Sequence, residues 1–281
     1  MDELLFEPFR SDFMQHGALA ALLVGVLCGV VGCFVVIRGM ALLADSFAHG
    51  VLPGVAVAVM LTPSSASGPG DLAVLIGALA GGLVTAVGTT LILRRSRLRE
   101  DTATAVMFVF MLALGVVLIS RQQNFAVDLT AFLFGDVLGV SGSEIPVTAA
   151  LVALLLAVVA FNYRRFVLVA FDARRAASLG VPVARTELVL MLVLSLSVVV
   201  GFRVVGSLLV LGLLIAPPAT AALLTRHLPS MMALSAAIAA ISAPVGLLLS
   251  WHLDVAAGAS IVLVAVGIFV GVLAVRGSRT A

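Results

Sequence analysis

An aspartate and a histidine four residues apart, Asp45 and His49, interrupt the apolar stretch ALLADSFAHGVLPG at 41–54. On an α-helix this spacing puts both side chains on one face, one turn apart. A carboxylate beside an imidazole can relay a proton, hold a structural hydrogen bond or ligate a divalent metal. Pro53 adds a further donor. It has no N–H, so the carbonyl of His49, four residues back, loses its helical partner. Carboxylate, imidazole and carbonyl oxygen together form a hard-to-borderline ligand set, suited to Mn²⁺, Fe²⁺ or Zn²⁺ rather than Cu⁺. One chain supplies too few side chains to close such a site, whereas two chains around a two-fold axis would supply two aspartates and two histidines. Three roles stay open for the pair: a metal path, a structural contact (an Asp–His bond or an Asp45–Arg38 ion pair) and a proton relay.

The element that positions these residues has to cross a membrane. The chain of 281 residues is 62% hydrophobic and 11% charged, with a mean hydropathy of +1.27; a soluble domain carries about 25% charged residues. Apolar segments fall at 17–37, 41–61, 72–93, 102–120, 144–163, 187–202, 205–225, 229–250 and 254–275. Each is close to the roughly 20 residues that span a hydrocarbon core. The short alternating segments of a membrane β-barrel are missing. These features predict an all-α fold: a polytopic transmembrane helical bundle of eight to nine spans, the lower number applying if the region around GFRVVG (201–206) is re-entrant. The whole of 1–281 reads as one integral membrane domain, with a cytoplasmic loop at about 164–186. At about 1.5 Å per residue from Arg38, Asp45 and His49 lie about 10 and 16 Å into a core roughly 30 Å thick. An aspartate there is unfavourable by at least about 2.5–3.5 kcal/mol, so it must face the protein interior or a water-filled path.

All sixteen basic residues are arginine. The phosphate-binding loop GxxxxGK[ST] needs a lysine, so any ATP hydrolysis that drives this protein belongs to another chain. Short cytoplasmic loops accumulate arginine. With nine spans, thirteen of the sixteen fall on one side, among them Arg94, Arg95, Arg97, Arg99, Arg164, Arg165, Arg174, Arg175 and Arg185. That asymmetry predicts the N-terminus outside and the C-terminus inside. The outer side then gathers acids such as Asp12, Glu144 and Asp254, a surface that favours cations and basic docking partners. The acidic N-terminus lacks the positive region of a signal peptide, so the first apolar run reads as a retained span. Cys28 and Cys33 lie on different helix faces and read as packing residues. His16, His227 and His252 stand near span ends, and the WHLD stretch at 251–254 could flank an entrance.

Two further stretches have a mechanical character. In FDARRAASLGVPVAR, Asp172 suits an N-cap, Gly180 suits the position after a helix end, and Pro182 follows. A helix of about two turns is predicted, outside the membrane, with Ala173, Ala176, Ala177 and Leu179 as a small apolar face. Such a helix can enter a groove on another protein or lie on the membrane surface. In VVGSLLVLGLLIAPPATAALL, Pro217 and Pro218 free the carbonyls of Leu213 and Leu214 and predict a broken or kinked span. Glycine pairs at four-residue spacing (25/29, 50/54, 77/81 and 267/271) allow close helix–helix approach in lipid.

The stretches RGMALLADSFAHGVLPGVA, DLTAFLFGDVL, FDARRAASLG, VVGSLLVLGLLIAPPATAA and HLDVAAGASIVL, in this order, resemble the membrane subunit of manganese/zinc/iron-type ATP-binding cassette importers, the ABC-3 permeases. The resemblance implies a type II importer-like permease in the bacterial cytoplasmic membrane, surrounded by lipid and without catalytic activity. It further implies a second permease copy (a homodimer), a cytosolic pair of ABC ATPases and an extracytoplasmic metal-binding protein. Asp45 and His49 would then line the metal path, and Asp172, Ala176, Leu179 and Gly180 would belong to the coupling helix that meets the ATPase. Manganese, zinc or iron would be cargo rather than a resident cofactor, and no nucleic-acid partner is expected. Pro217-Pro218 departs from the family, where proline is more often followed by alanine, so the helix geometry there is not carried over. The alternatives are a proton-coupled secondary transporter using Asp45 and His49 as a relay, and an ABC permease for a metal chelate, which would want a wider, ligand-poor path.

Overall fold

Inside a bilayer every backbone N–H and C=O must be satisfied within the protein, and continuous apolar runs meet that demand as helices. The computed structural model describes residues 11–61, 72–96, 98–120 and 139–280, and its long elements are all helical. They are α1 Asp12–Arg38, α2 Ala41–Leu61, α3 Leu72–Arg95, α4 Glu100–Ser120, α5 Glu144–Phe171, α6 Ala173–Ser178, α7 Val183–Val205, α8 Ser207–Leu224, α9 Leu228–Leu253 and α10 Ala257–Thr280. Each apolar segment of the sequence has its helix. Eight are long and apolar enough to cross a membrane, while the apolar part of α8, Leu208–Leu224, is shorter. The stretches 62–71 and 121–138, which include all of DLTAFLFGDVL, lie outside the described residues.

The chain forms two compact units. One holds α2, α3 and α4 together with α6, the later part of α5 and α7 as far as Val199. Here the glycine pairs of α2 and α3 meet one another. Gly54 lies against the Gly77 carbonyl, Gly81 against the Gly50 carbonyl oxygen, and Gly50 against Thr85. Rising numbers on α2 meet falling numbers on α3, so the helices are antiparallel. Gly115 of α4 packs beside Leu52 and Pro53, which brings a third helix onto α2, and Gly88 of α3 receives Met107 of α4.

The other unit holds α1 as far as Val36, α5 as far as Leu156, and the chain from Val200 onward. Gly25 and Gly29 of α1 lie against Ala239 and Ala236 of α9, and the Ser235 hydroxyl donates to the Gly29 carbonyl at 2.8 Å. Cys28 and Cys33 are free and buried, and the Cys33 thiol donates to the Gly29 carbonyl at 3.2 Å, in keeping with packing residues. Gly206, with φ 84°, separates α7 from α8. Gly201 lies against Val210, whereas nine residues of continuous helix would separate them by about 13 Å. The chain therefore doubles back at Gly206.

Of the broken or kinked span expected at Pro217 and Pro218, the break does not occur. Pro217 and Pro218 lie inside α8, which runs unbroken from Ser207 to Leu224. Gly32 of α1 has no Cβ, so it sits directly on the Leu214 carbonyl that Pro218 deprives of its helical partner, beside the Pro218 ring. One turn later the Thr220 hydroxyl donates to the Ala216 carbonyl at 2.8 Å. A neighbouring helix and hydroxyl groups let a proline-containing span continue.

Candidate metal site and docking segment

Helix α2 begins after Gly39, whose φ of 67° turns the chain, and the Leu43 N–H bonds the Met40 carbonyl at 3.1 Å. Measured from the start of α2, Asp45 and His49 lie about 6 and 12 Å along the axis. Counting from Arg38 overstates their depth, because Gly39 and Met40 are not helical.

The two side chains do share a face. His49 Nε2 stands 3.6 Å from Asp45 Oδ1, with side-chain exposures of 24% and 36%. This separation is longer than a hydrogen bond, and a buried structural Asp–His bond is not what these atoms form. It does suit a shared ligand: two donors each about 2.1 Å from one ion, at an angle of about 120°, stand about 3.6 Å apart. The face is accessible, and an ionisable pair on a membrane-length helix is expected to meet water or protein rather than lipid. Phe108 of α4 meets the imidazole edge-on at 5.4 Å and 73°, which limits ring rotation. Pro53 lies inside the helix, leaving the His49 carbonyl without an i+4 donor. Among the described residues no three His, Cys, Asp or Glu side chains gather closely enough to hold a metal. Asp45 and His49 are thus two side-chain donors on one face, with no third among the described residues.

Two residues escaped the sequence reading. Ser46 is fully buried, and its hydroxyl has no hydrogen-bond partner among the described residues. It stood in plain view within ADSFAH, but serine is common in membrane helices and gave no distinguishing signal. Glu187 is the other. Arg38 Nη2 donates to Glu187 Oε1 at 3.1 Å, so the arginine considered as a partner for Asp45 is engaged by α7 instead.

The short helix expected at residues 172–180 forms as its end signals predict. Asp172 caps α6 by accepting from the Arg175 N–H at 2.9 Å. Gly180 has φ 79°, and the Gly180 and Val181 N–H groups bond the Ala177 and Ala176 carbonyls, each at 3.0 Å. This paired closure satisfies carbonyls at the helix end and uses glycine's tolerance of positive φ. Of the small apolar face only Ala176 is buried; Leu179 is 63% exposed. His252 is exposed and its Nδ1 stands 2.8 Å from the Leu248 carbonyl, while Trp251 and Asp254 of the WHLD stretch border a cavity of ≈ 580 Å³.

The decisive comparison is with known families, since residues 10–276 match the ABC 3 transport family. This chain is a member of that family. It is 42% identical over 258 residues to the manganese transport system membrane protein MntC of Halalkalibacterium halodurans, covering 92% of this chain and 85% of that protein. It is 34% identical over 274 residues to a probable iron transport system membrane protein of Haemophilus influenzae, covering 98% and 97%. The solved structure of PsaBC from Streptococcus pneumoniae in complex with Fab shares its fold, with a TM-score of 0.82 at 34% identity over 96% of this chain and 94% of that one. Membership of the ABC 3 transport family together with eight membrane-length helices makes this a multi-pass membrane protein with a transport role.

Proposed function

We propose that this chain is the membrane-spanning permease subunit of an ATP-binding cassette importer for a divalent transition metal: manganese, iron or zinc. The observation that carries this reading is the Asp45–His49 pair, 3.6 Å apart and partly exposed on a membrane-length helix, in a chain related to manganese and iron transport proteins. The permease domain binds metal transiently. Asp45 supplies a carboxylate oxygen, His49 an imidazole nitrogen, and the carbonyl freed by Pro53 an oxygen nearby. A second copy of the chain completes the site with its own aspartate and histidine. An incomplete, partly open site suits transport, because an ion held by a closed cage would not leave. The manganese and iron named for relatives are in keeping with this donor set, since carboxylate and carbonyl oxygens suit manganese and imidazole suits iron.

ATP hydrolysis belongs to a cytosolic ABC ATPase dimer that docks on residues 172–180 through the exposed Leu179, while the buried Ala176 seats the segment on the permease itself. An extracytoplasmic metal-binding protein delivers cargo from the other side, and the permease holds no permanent cofactor. The reading is tested by co-expressing the chain with its ATPase and binding protein and measuring ATP-dependent accumulation of manganese, iron and zinc. Metal uptake that persists without ATP hydrolysis and follows the pH gradient would indicate a secondary transporter instead.

Two variants test the docking segment. Leu179→Glu removes its apolar contact, and Gly180→Pro removes the N–H that bonds Ala177 and imposes a negative φ. Each is expected to lower uptake severely while the helical bundle still inserts, and Ser178→Cys is expected to cross-link to the ATPase. Normal uptake by both variants would leave residues 172–180 as a surface helix. Orientation is tested by labelling. An impermeant thiol reagent added outside intact cells should modify Ser141→Cys and spare Ser178→Cys, with Cys28 and Cys33 buried and silent. The opposite pattern would reverse the proposed orientation of N-terminus outside and C-terminus inside.

A further inference from the structure

The docking segment and the metal-binding helix are far apart in sequence, yet a polar contact joins the residues that flank them. Arg38 and Glu187 are 149 positions apart and meet at 3.1 Å, with side chains only 11% and 32% exposed. Glu187 lies near the start of α7, and the backbone from α6 to that point is hydrogen-bonded step by step. The Val181 N–H bonds the Ala176 carbonyl at 3.0 Å, and the Arg185 and Thr186 N–H groups bond the Pro182 carbonyl at 3.1 and 3.0 Å. The Thr186 hydroxyl donates to the same carbonyl at 3.1 Å. A push on residues 172–180 therefore reaches Glu187 through a bonded path rather than a slack loop. On the far side of the ion pair, Arg38 is followed by Gly39, where φ is 67° and an added Cβ would meet nothing within 4 Å. This is an unobstructed elbow, and α2 begins two residues later.

Apolar helix contacts in a bundle can slide, because one methyl group resembles the next. A part-buried, charge-assisted hydrogen bond is directional and stronger than a neutral one, so it fixes register between the elements it joins. We propose that Arg38 and Glu187 are a positioning pair: they hold the Gly39 elbow of α2 to the start of α7 and carry movement of the docking segment to Asp45 and His49. This rests on the reading of residues 172–180 as the ATPase dock and of Asp45 and His49 as metal ligands.

The test uses the assembled transporter, permease with ATPase and metal-binding protein, in proteoliposomes, with Mn²⁺ uptake and ATP hydrolysis measured on the same sample. Absence of ATP-driven Mn²⁺ uptake by the unaltered transporter would sink the functional reading, and this inference with it. Given that uptake, Glu187→Arg and Arg38→Glu are each expected to lower the ratio of Mn²⁺ transported to ATP hydrolysed by roughly tenfold or more, within the range of known coupling effects. The ATPase should still co-purify. The charge-swapped double variant, Arg38→Glu with Glu187→Arg, is expected to regain most of the ratio. Glu187→Gln, which keeps shape and loses charge, decides the matter where a reversal variant does not assemble. A merely structural pair would reduce uptake and hydrolysis in proportion. An unchanged ratio in the single variants, or a loss that the swap does not reverse, would overturn the proposal.

Discussion

Alanine at Asp45 or at His49 is expected to abolish metal accumulation in cells while the protein still inserts and still binds its ATPase. Both side chains sit on one face of α2, at 24–36% exposure, so neither contributes a large buried surface whose loss would unfold the bundle. Each is half of the charged or nitrogen-donor ligation that one chain can offer, since no third His, Cys, Asp or Glu joins them among the described residues. Even outer-shell partners of a metal site change affinity by about 10–100-fold, and removing a direct ligand from so sparse a site has a larger effect. Whole-cell elemental analysis together with membrane protein yield checks this. Loss of yield parallel to loss of uptake would point to a structural pair instead.

The second large effect is expected at Gly54. Its missing Cβ leaves room for the Gly77 carbonyl, and Gly77 in turn lies against the Gly54 carbonyl. Gly54→Leu would place a side chain against a backbone that cannot swing aside, forcing α2 from α3. Overpacking of this kind is unfavourable by about 1–3 kcal/mol in ordinary cores. A backbone–backbone contact has less room to relax, so the effect belongs at or above the top of that range. Displacing α2 also moves Asp45 and His49, and uptake should fall with stability. Gly267→Leu is the control. A Cβ at Gly267 meets nothing within 4 Å, and the variant should match the parent in a thermal unfolding assay in detergent. Equal stability of the two variants would contradict the packing described for α2 and α3.

The nine apolar helices and the caps of α6 were legible in the sequence because their determinants are local. Hydrophobic length sets a span, and Asp172 and Gly180 act within a few residues of themselves. The shared face of Asp45 and His49 was legible for the same reason, since four residues is one turn. Partner choice was not. Gly50, Gly54, Gly77 and Gly81 announced close approach, but only the fold shows that the two pairs meet each other while Gly267 and Gly271 stay open. Arg38 offered no sign that Glu187, 149 residues away, was its partner, and the nearer Asp45 was the more obvious candidate. Pro217 and Pro218 left a break and a kink both open, because the sequence does not reveal that Gly32 of another helix shelters the freed Leu214 carbonyl.

The central claim is that Asp45 and His49 bind a metal in transit, and the double variant Asp45→Asn, His49→Gln tests it most directly. Both replacements keep size and hydrogen-bonding capacity, so a structural or packing role would survive them. Asparagine loses the carboxylate charge and glutamine loses the imidazole nitrogen, so ligation would not. ATP-dependent accumulation of manganese, iron and zinc should fall to the level of cells lacking the transporter, with protein yield and ATPase binding unchanged. Full uptake of any of the three metals by this double variant would refute the assignment.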